Sequence, residues 1–172
     1  VAFELFTRVL LQSAVAAAAP GDTLLVRYVD PLLASYSGTT IDKALTVVGI
    51  GGQPGIVGQL RVALLPAGQH VQLRNLRLAP FAVPGGQVGD CQLIVASNQG
   101  SVHLHGIDRD ISKPLVAALN QTAIFSNRLV TLTECSLPNV GALGVVQVSD
   151  CERVVMSQCQ VTGAGATAFN TM

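Results

Sequence analysis

Two histidines and a short run of charged residues are the groups in this chain best suited to chemistry. His103 and His105 are two positions apart, so on a strand both imidazoles would leave one face about 6.6 Å apart. Such a pair could share a metal ion, but glutamine, arginine and threonine would be its neighbours, and these are poor ligands. Asp108, Arg109 and Asp110 follow, and paired carboxylates in a turn could serve acid–base catalysis. The plainer alternatives are solvated histidines and a polar turn with a solvated arginine.

The sequence contains no other motif known from catalytic sites. The chain contains no GxSxG, HExxH or phosphate-loop motif, and its four cysteines have no zinc-binding spacing. Cys135 and Cys159 take equivalent inward positions in successive repeats, where parallel Cβ directions disfavour a disulfide, so we expect buried thiols. Cys91 and Cys151 stand near turns. We therefore predict no catalytic residue, no metal and no cofactor in this chain, and lean towards a protein that is not an enzyme.

A six-residue motif of alternating apolar residues, which we call the apolar phrase, recurs along the chain. The candidate residues lie in or beside its copies, so the structure formed by the copies must position them. Successive copies begin 21 to 31 residues apart, a spacing typical of solenoids rather than of ordinary globular domains. In every copy the third anchor follows three places after the second. The copies occupy residues 24–29, 45–50, 71–76, 102–107, 130–135 and 154–159. The repeat predicts stacked β-coils in which each copy is one parallel strand.

Period-two alternation assigns a face to each position of the phrase. The anchors are expected to point inward as two ladders: Leu73, Leu104, Leu132 and Met156, then Leu76, Ile107, Cys135 and Cys159. The residues between them should face solvent. We call Thr46, Gln72, His103, Thr131 and Val155 the first outer column, and Val48, Arg74, His105, Thr133 and Ser157 the second. The predicted binding residues are Gln72, Arg74, His103, His105, Thr131 and Thr133, with Asp108 in the adjoining turn.

Composition agrees with a stack of small aliphatic side chains. The 172 residues are 49% hydrophobic but only 12% charged and 4% aromatic, which suits a structure that buries branched residues coil upon coil. The formal charge is zero and no long basic run occurs, so nucleic acid is excluded as a partner. The longest apolar runs fall short of the roughly 18 residues of a membrane span.

The N-terminal segment has a different periodicity from the repeats. Residues 3–19 place apolar side chains at helical spacing, and Pro20 and Gly21 would end such a helix. A helix at this place would cover the open edge and the apolar end of the first coil. We therefore predict a capping helix over residues 1–19 and a β-solenoid over residues 20–172, the whole being a fragment of a longer chain.

The order of motifs in residues 10–50 also resembles that of a known group of proteins. A helix is followed by Pro20-Gly21-Asp22, by Tyr36-Ser37-Gly38 and by the stretch Leu45–Gly49. This order resembles the opening of right-handed parallel β-helix proteins, the superfamily of pectate-lyase-like and other carbohydrate-active β-helices. The resemblance implies an all-β, right-handed parallel β-helix of about six coils. The segment 28–35 is longer than the link usual in that superfamily, and we expect a loop there.

These inferences leave three classes of function open. We predict a non-catalytic structural or carbohydrate-binding module of a larger extracellular or cell-surface protein. One alternative is a polysaccharide lyase or glycoside hydrolase whose catalytic residues lie outside this chain, because the clustered acidic or basic residues of such enzymes do not occur here. Another is a rod that self-associates through the exposed strand edges of its last coil.

Overall fold

Strands dominate the structure, a computed structural model that describes residues 2–5, 11–28, 36–79, 81–82, 88–89, 92–109, 121–137, 145–161 and 168–169. One short helix, α1 (Leu11–Ala17), lies in this part of the chain. The strands are β1 (Ala2–Leu5), β2 (Thr23–Arg27), β3 (Tyr36–Ser37), β4 (Thr40–Ile41), β5 (Leu45–Ile50), β6 (Gly55–Val57), β7 (Gln59–Ala63), β8 (His70–Leu78), β9 (Phe81–Ala82), β10 (Val88–Gly89), β11 (Gln92–Ala96), β12 (Ser101–Arg109), β13 (Gln121–Phe125), β14 (Leu129–Thr133), β15 (Val145–Ser149), β16 (Arg153–Ser157) and β17 (Ala168–Phe169).

Two parallel sheets contain nearly all of these strands. The first sheet has the order β1-β2-β5-β8-β12-β14-β16, with β6 paired to β8 and β3 paired to β6. The second sheet has the order β17-β15-β13-β11-β7-β4, and β9 and β10 form a small antiparallel pair. From β7 to β17, apart from that pair, the chain alternates between the second sheet and the first. A mostly-β fold built from parallel sheets is therefore confirmed.

The register of the first sheet aligns the copies of the apolar phrase. Gln72 pairs with His103 and His103 with Thr131, while one residue further on Leu73, Leu104 and Leu132 are aligned in the same way. These leucines are at most 1% exposed, whereas the aligned polar residues are partly exposed. The predicted inward and outward faces of β8, β12 and β14 are therefore confirmed, whereas in β16 the predicted inward Met156 and outward Val155 are both half-buried.

A left-handed residue explains the three-place step in the copies of the phrase at residues 71–76, 102–107, 130–135 and 154–159. Asn75, Gly106, Glu134 and Gln158 stand at equivalent positions and have φ between 53° and 59°. A residue in this region bends the strand and shifts the phase of its alternation. The following residue therefore points inward, as Leu76, Ile107 and Cys135 do, each at most 1% exposed.

A second set of left-handed residues ends the strands of the second sheet. Leu64, Ser97, Ser126 and Asp150 follow β7, β11, β13 and β15, with φ between 50° and 61°. All seven left-handed residues other than glycine in the described part of the chain belong to these two sets. The residue that follows each of these four strands is therefore left-handed even though the residue type differs.

The N-terminal helix is shorter than predicted. We expected helix over residues 3–19, but Ala2–Leu5 is a strand that pairs in parallel with β2, and the helix is confined to Leu11–Ala17. The free edge of β2 offers unpaired N–H and C=O groups, and a paired strand satisfies them directly. The helix packs on the core through the buried Leu11 and Val15. The division of the chain at residue 19 stays a prediction, and residues 29–35 of the expected loop lie outside the described residues.

Candidate binding face

The outer face of the first sheet brings six of the seven predicted binding residues together. Strands β8, β12 and β14 are adjacent, and each contributes one residue to each outer column. The first outer column presents Gln72, His103 and Thr131, and the second presents Arg74, His105 and Thr133. Neighbouring strands lie about 4.8 Å apart, so the six side chains form a compact polar patch, which we call the binding face. Its role in binding stays a prediction.

Several side chains of the binding face are available to a ligand. Gln72, Arg74 and Thr131 make no side-chain hydrogen bond or ion pair with another described residue. His105 Nε2 lies 3.9 Å from Oε2 of Glu134, and these side chains are 37% and 58% exposed. A pair so exposed and so long contributes little to stability. The face therefore presents donors and acceptors that the fold itself does not need.

The predicted acidic and basic cluster is split between the two faces of β12, which corrects the expectation of a solvated Arg109 in a polar turn. Asp108 and Arg109 belong to the strand, and Asp108 lies on the outer face opposite Arg77. Arg109 is only 5% exposed and donates from Nη2 to Oγ1 of the buried Thr122 at 2.7 Å. The bend at Gly106 places residues 107 and 109 inward, which is why the arginine is buried. Asp110 lies outside the described residues.

A cluster of two imidazoles and one hydroxyl lies at the edge of the binding face, and the sequence reasoning missed it. Ser101 Oγ lies 2.5 Å from Nδ1 of His70 and 3.2 Å from Nε2 of His103. Burial, and to a smaller extent the neighbouring His70 imidazole, lower the pKa of His103 below its ordinary value. His70 and Ser101 each precede the first anchor of their own copy of the phrase, so aligning the copies would have paired them.

A cavity of about 230 Å³ opens beside this hydroxyl. It is lined by residues from three successive repeats: Gly68, Gln69, His70, Gly100, Ser101, Arg128 and Leu129. Gly100 keeps the repeats close, because a Cβ there would overlap the carbonyl oxygen of Gln69. The backbone N–H of Ser101 donates to that same oxygen at 3.0 Å. The position of Ser101 beside His70 is thus fixed by the backbone.

A second group of polar side chains lies in the turns after the second sheet and is fully engaged. Asn98 and Asn127 are each 2% exposed, and Asn98 Nδ2 donates to Asn127 Oδ1 at 2.7 Å. Asn127 Nδ2 also donates to the carbonyl oxygens of Val95 and Phe125 at 2.8 and 2.9 Å. Asn98 Oδ1 accepts from the backbone N–H of Leu65 at 3.0 Å. These amides hold successive turns together, so we assign them a structural role.

The described cysteines are unbridged thiols. Cys135, Cys151 and Cys159 are free, and Cys135 is 1% exposed in the inward ladder, whereas Cys159, which we also expected to be buried, is only half-buried. Burial raises the pKa of the Cys135 thiol to about 11. Cys91 lies outside the described residues. Within the described ranges, no group of three or more histidine, cysteine, aspartate or glutamate side chains is arranged to hold a metal ion.

Comparisons with known protein families, with curated proteins and with solved structures gave no significant match. Among the described residues, no helix has the length and apolar character needed to cross a membrane. The functional argument therefore rests on the geometry of the chain itself.

Proposed function

We propose that the chain is a right-handed parallel β-helix of about six coils whose binding face holds a linear polysaccharide without cleaving it. The alternation of the chain between two parallel sheets supports the coil. Its handedness rests on the strong general preference for right-handed crossovers between parallel strands, and on the resemblance of residues 10–50 to right-handed β-helices.

The observation that carries the proposal is the alignment of two polar columns across β8, β12 and β14. An amide, two hydroxyls, two imidazoles and a guanidinium are repeated at strand spacing on one surface. A ligand that repeats its own hydroxyl groups along an extended chain can hydrogen-bond to such rows at several points. Arg74, which is exposed, would pair with a carboxylate if the polysaccharide is acidic.

The composition of the chain indicates how such binding would work. The sequence contains five phenylalanines, two tyrosines and no tryptophan. Stacking of sugar rings on aromatic side chains would therefore contribute little, and hydrogen bonds would supply most of the affinity. Binding would gain strength by repetition along the ligand, as expected of a module in a larger extracellular or cell-surface protein.

The test is binding to an array of neutral and acidic polysaccharides, with the molar mass measured by light scattering on the same sample. We expect saturable binding to one polysaccharide class, weakened about tenfold by Arg74→Ala and by His105→Ala through the loss of charged or polar hydrogen bonds. Gln147→Ala changes an exposed residue of the second sheet and should bind like the parent chain.

Two results would contradict this function. Binding that survives Arg74→Ala and His105→Ala but fails in Gln147→Ala would place the binding surface on the other sheet. No binding, together with a mass that rises with protein concentration, would instead favour a rod that associates through its strand edges.

A further inference from the structure

The hydroxyl of Ser101 lies between two imidazoles in an arrangement that imposes different roles on them. A serine hydroxyl has one proton to donate, so it can donate to one of the two rings. The shorter contact, 2.5 Å, joins Ser101 Oγ to Nδ1 of His70, which we assign as the acceptor. His103 Nε2, at 3.2 Å, then donates its own N–H to the same oxygen.

This pattern differs from that of a serine whose hydroxyl merely satisfies a buried backbone group. Both side-chain hydrogen bonds that Ser101 makes with described residues are to imidazoles, and His70 can take up a proton that the hydroxyl releases. The lowered pKa of His103 keeps that ring neutral near pH 7, so it donates a hydrogen bond without a full charge.

We propose that Ser101 is a nucleophile that His70 activates as general base, in a site that accepts esters of small acyl groups. The cavity of about 230 Å³ beside Ser101 has room for a short acyl group, and an acylated hydroxyl on an extended ligand could enter it from the neighbouring face. This activity goes beyond polysaccharide binding and does not depend on it.

The reaction balances with water as the second substrate. Ser101 Oγ attacks the ester carbonyl carbon, a C–O bond forms, and the hydroxyl proton passes to Nδ1 of His70. The bond between the carbonyl carbon and the alcohol oxygen then breaks, and the alcohol leaves with the proton from His70. Water next attacks the acyl-serine with His70 again as base, which releases the carboxylic acid and restores the hydroxyl.

Two further groups suit the charge that develops in this reaction. With His103 assigned as the donor, its N–H points at the nucleophilic oxygen and would stabilise the serine oxygen as its proton leaves. Arg128 is one of the residues that line the same cavity, and its guanidinium could offer a positive charge to the carbonyl oxygen as it becomes negative. Among the described residues, the Arg128 side chain is held by one long, exposed contact of 4.0 Å to Glu152, so it can turn towards a substrate.

The test is covalent labelling by diisopropyl fluorophosphate, followed by peptide mass spectrometry to locate the label. The reagent forms an O–P bond with an activated serine, the P–F bond breaks, fluoride leaves and the serine proton passes to the base. We expect one label, on Ser101, and none in Ser101→Ala. The parent chain should also hydrolyse p-nitrophenyl acetate faster than free imidazole does at the same concentration. Ser101→Ala should reduce that rate to the rate with free imidazole.

Two substitutions separate catalysis from hydrogen bonding. Asparagine in His70→Asn can place an amide near the position of Nδ1, and glutamine in His103→Gln can do so near Nε2, so each can keep a partner for Ser101. We expect His70→Asn to slow labelling about 100-fold, because an amide cannot act as a base. His103→Gln should slow it by about tenfold at most.

Ser37→Ala is the matched control, because Ser37 is an exposed serine of β3 far along the chain from this cluster. It should label like the parent chain, and thermal unfolding should show that all variants are folded. Ser101 left unlabelled in the folded parent chain, or labelled no faster than Ser37, would overturn the proposal. So would His70→Asn labelling at the parental rate.

Discussion

Two groups of polar side chains in this chain arise from the same stacking of repeats but differ in burial and in hydrogen bonding. Asn98 and Asn127 are 2% exposed, and their amides are bound to each other and to backbone groups of adjacent strands. Gln72 and Thr131 are also aligned across strands, but they are partly exposed and make no side-chain hydrogen bond with another described residue. Repetition alone therefore does not distinguish a structural group from a binding surface. Burial and hydrogen-bond satisfaction do.

The largest change in the free energy of unfolding is expected when an aspartate replaces an inward residue of β14. The same substitution at the neighbouring outward residue is the control. Leu132→Asp would bury a carboxylate among leucines, at a cost of about 5 kcal/mol or more, which is enough to unfold most domains of this size. Thr131→Asp should leave the free energy of unfolding nearly unchanged, because residue 131 faces outward. Circular dichroism during urea titration would measure both. A folded Leu132→Asp with an unfolded Thr131→Asp would reverse the assignment of the faces.

The next largest effect is expected at the buried amides. Asn127→Ala removes the donor to the carbonyl oxygens of Val95 and Phe125 and leaves Asn98 without its side-chain partner. We expect a loss of about 2–3 kcal/mol in the free energy of unfolding, measured by urea titration. Gln99→Ala, in an exposed position of the same turn as Asn98, should cost less than about 0.5 kcal/mol. Equal effects would mean that the buried amides hold no turns together.

Alkaline pH should destabilise the fold through the inward ladder. Cys135 stays neutral in the folded chain up to about pH 11, whereas in the unfolded chain it ionises near pH 9. The unfolded state therefore loses its proton first, and stability should fall between pH 9 and pH 11 by on the order of 2 kcal/mol. Burial also raises the pKa of Tyr36, which adds a loss of the same sign above pH 10.

Urea titration at pH 8, 9, 10 and 11 would measure this loss in the parent chain and in Cys135→Ala. The alanine variant should be less stable at pH 8 because of the cavity it creates, but its decline towards pH 11 should be shallower. Parallel curves for the two chains would show that the Cys135 thiol is not responsible.

The smallest effect is expected at the left-handed residues, where backbone geometry rather than side-chain contact sets the stability. Leu64 has a φ of 61° and a side chain that is 70% exposed. Leu64→Gly should stabilise the fold by about 1 kcal/mol, because glycine adopts this conformation without steric cost. Leu64→Ala keeps the Cβ and should change little. Thermal unfolding of the two variants would decide, and a destabilising Leu64→Gly would contradict this interpretation.

The faces of the first sheet could be predicted from sequence because alternation records burial directly. The repeat places Leu104 and Leu132 at inward positions, and both are buried. Because side chains alternate along a strand, their neighbours His103 and Thr131 face outward. The three-place step to Cys135 was visible as a pattern, but its cause, a left-handed residue at Glu134, lies in the backbone.

Three features depended on structure that the sequence does not encode locally. The strand at Ala2–Leu5 forms because β2 has a free edge, although its apolar spacing also suits a helix. Arg109 is buried because the bend at Gly106 shifts the alternation of β12. The contact of Ser101 with His70 joins residues 31 positions apart and requires both the register and the side-chain rotamers.

The central claim is that the outward columns of the first sheet bind a ligand through side chains that the fold does not need. Its most direct test is polysaccharide affinity and thermal unfolding of a Gln72→Ala, Thr131→Ala double variant beside Gln147→Ala. We predict that the double variant loses binding while it unfolds within a few degrees of the parent chain, and that Gln147→Ala keeps both. Unchanged affinity in the double variant, or loss of binding only together with loss of the fold, would contradict the claim.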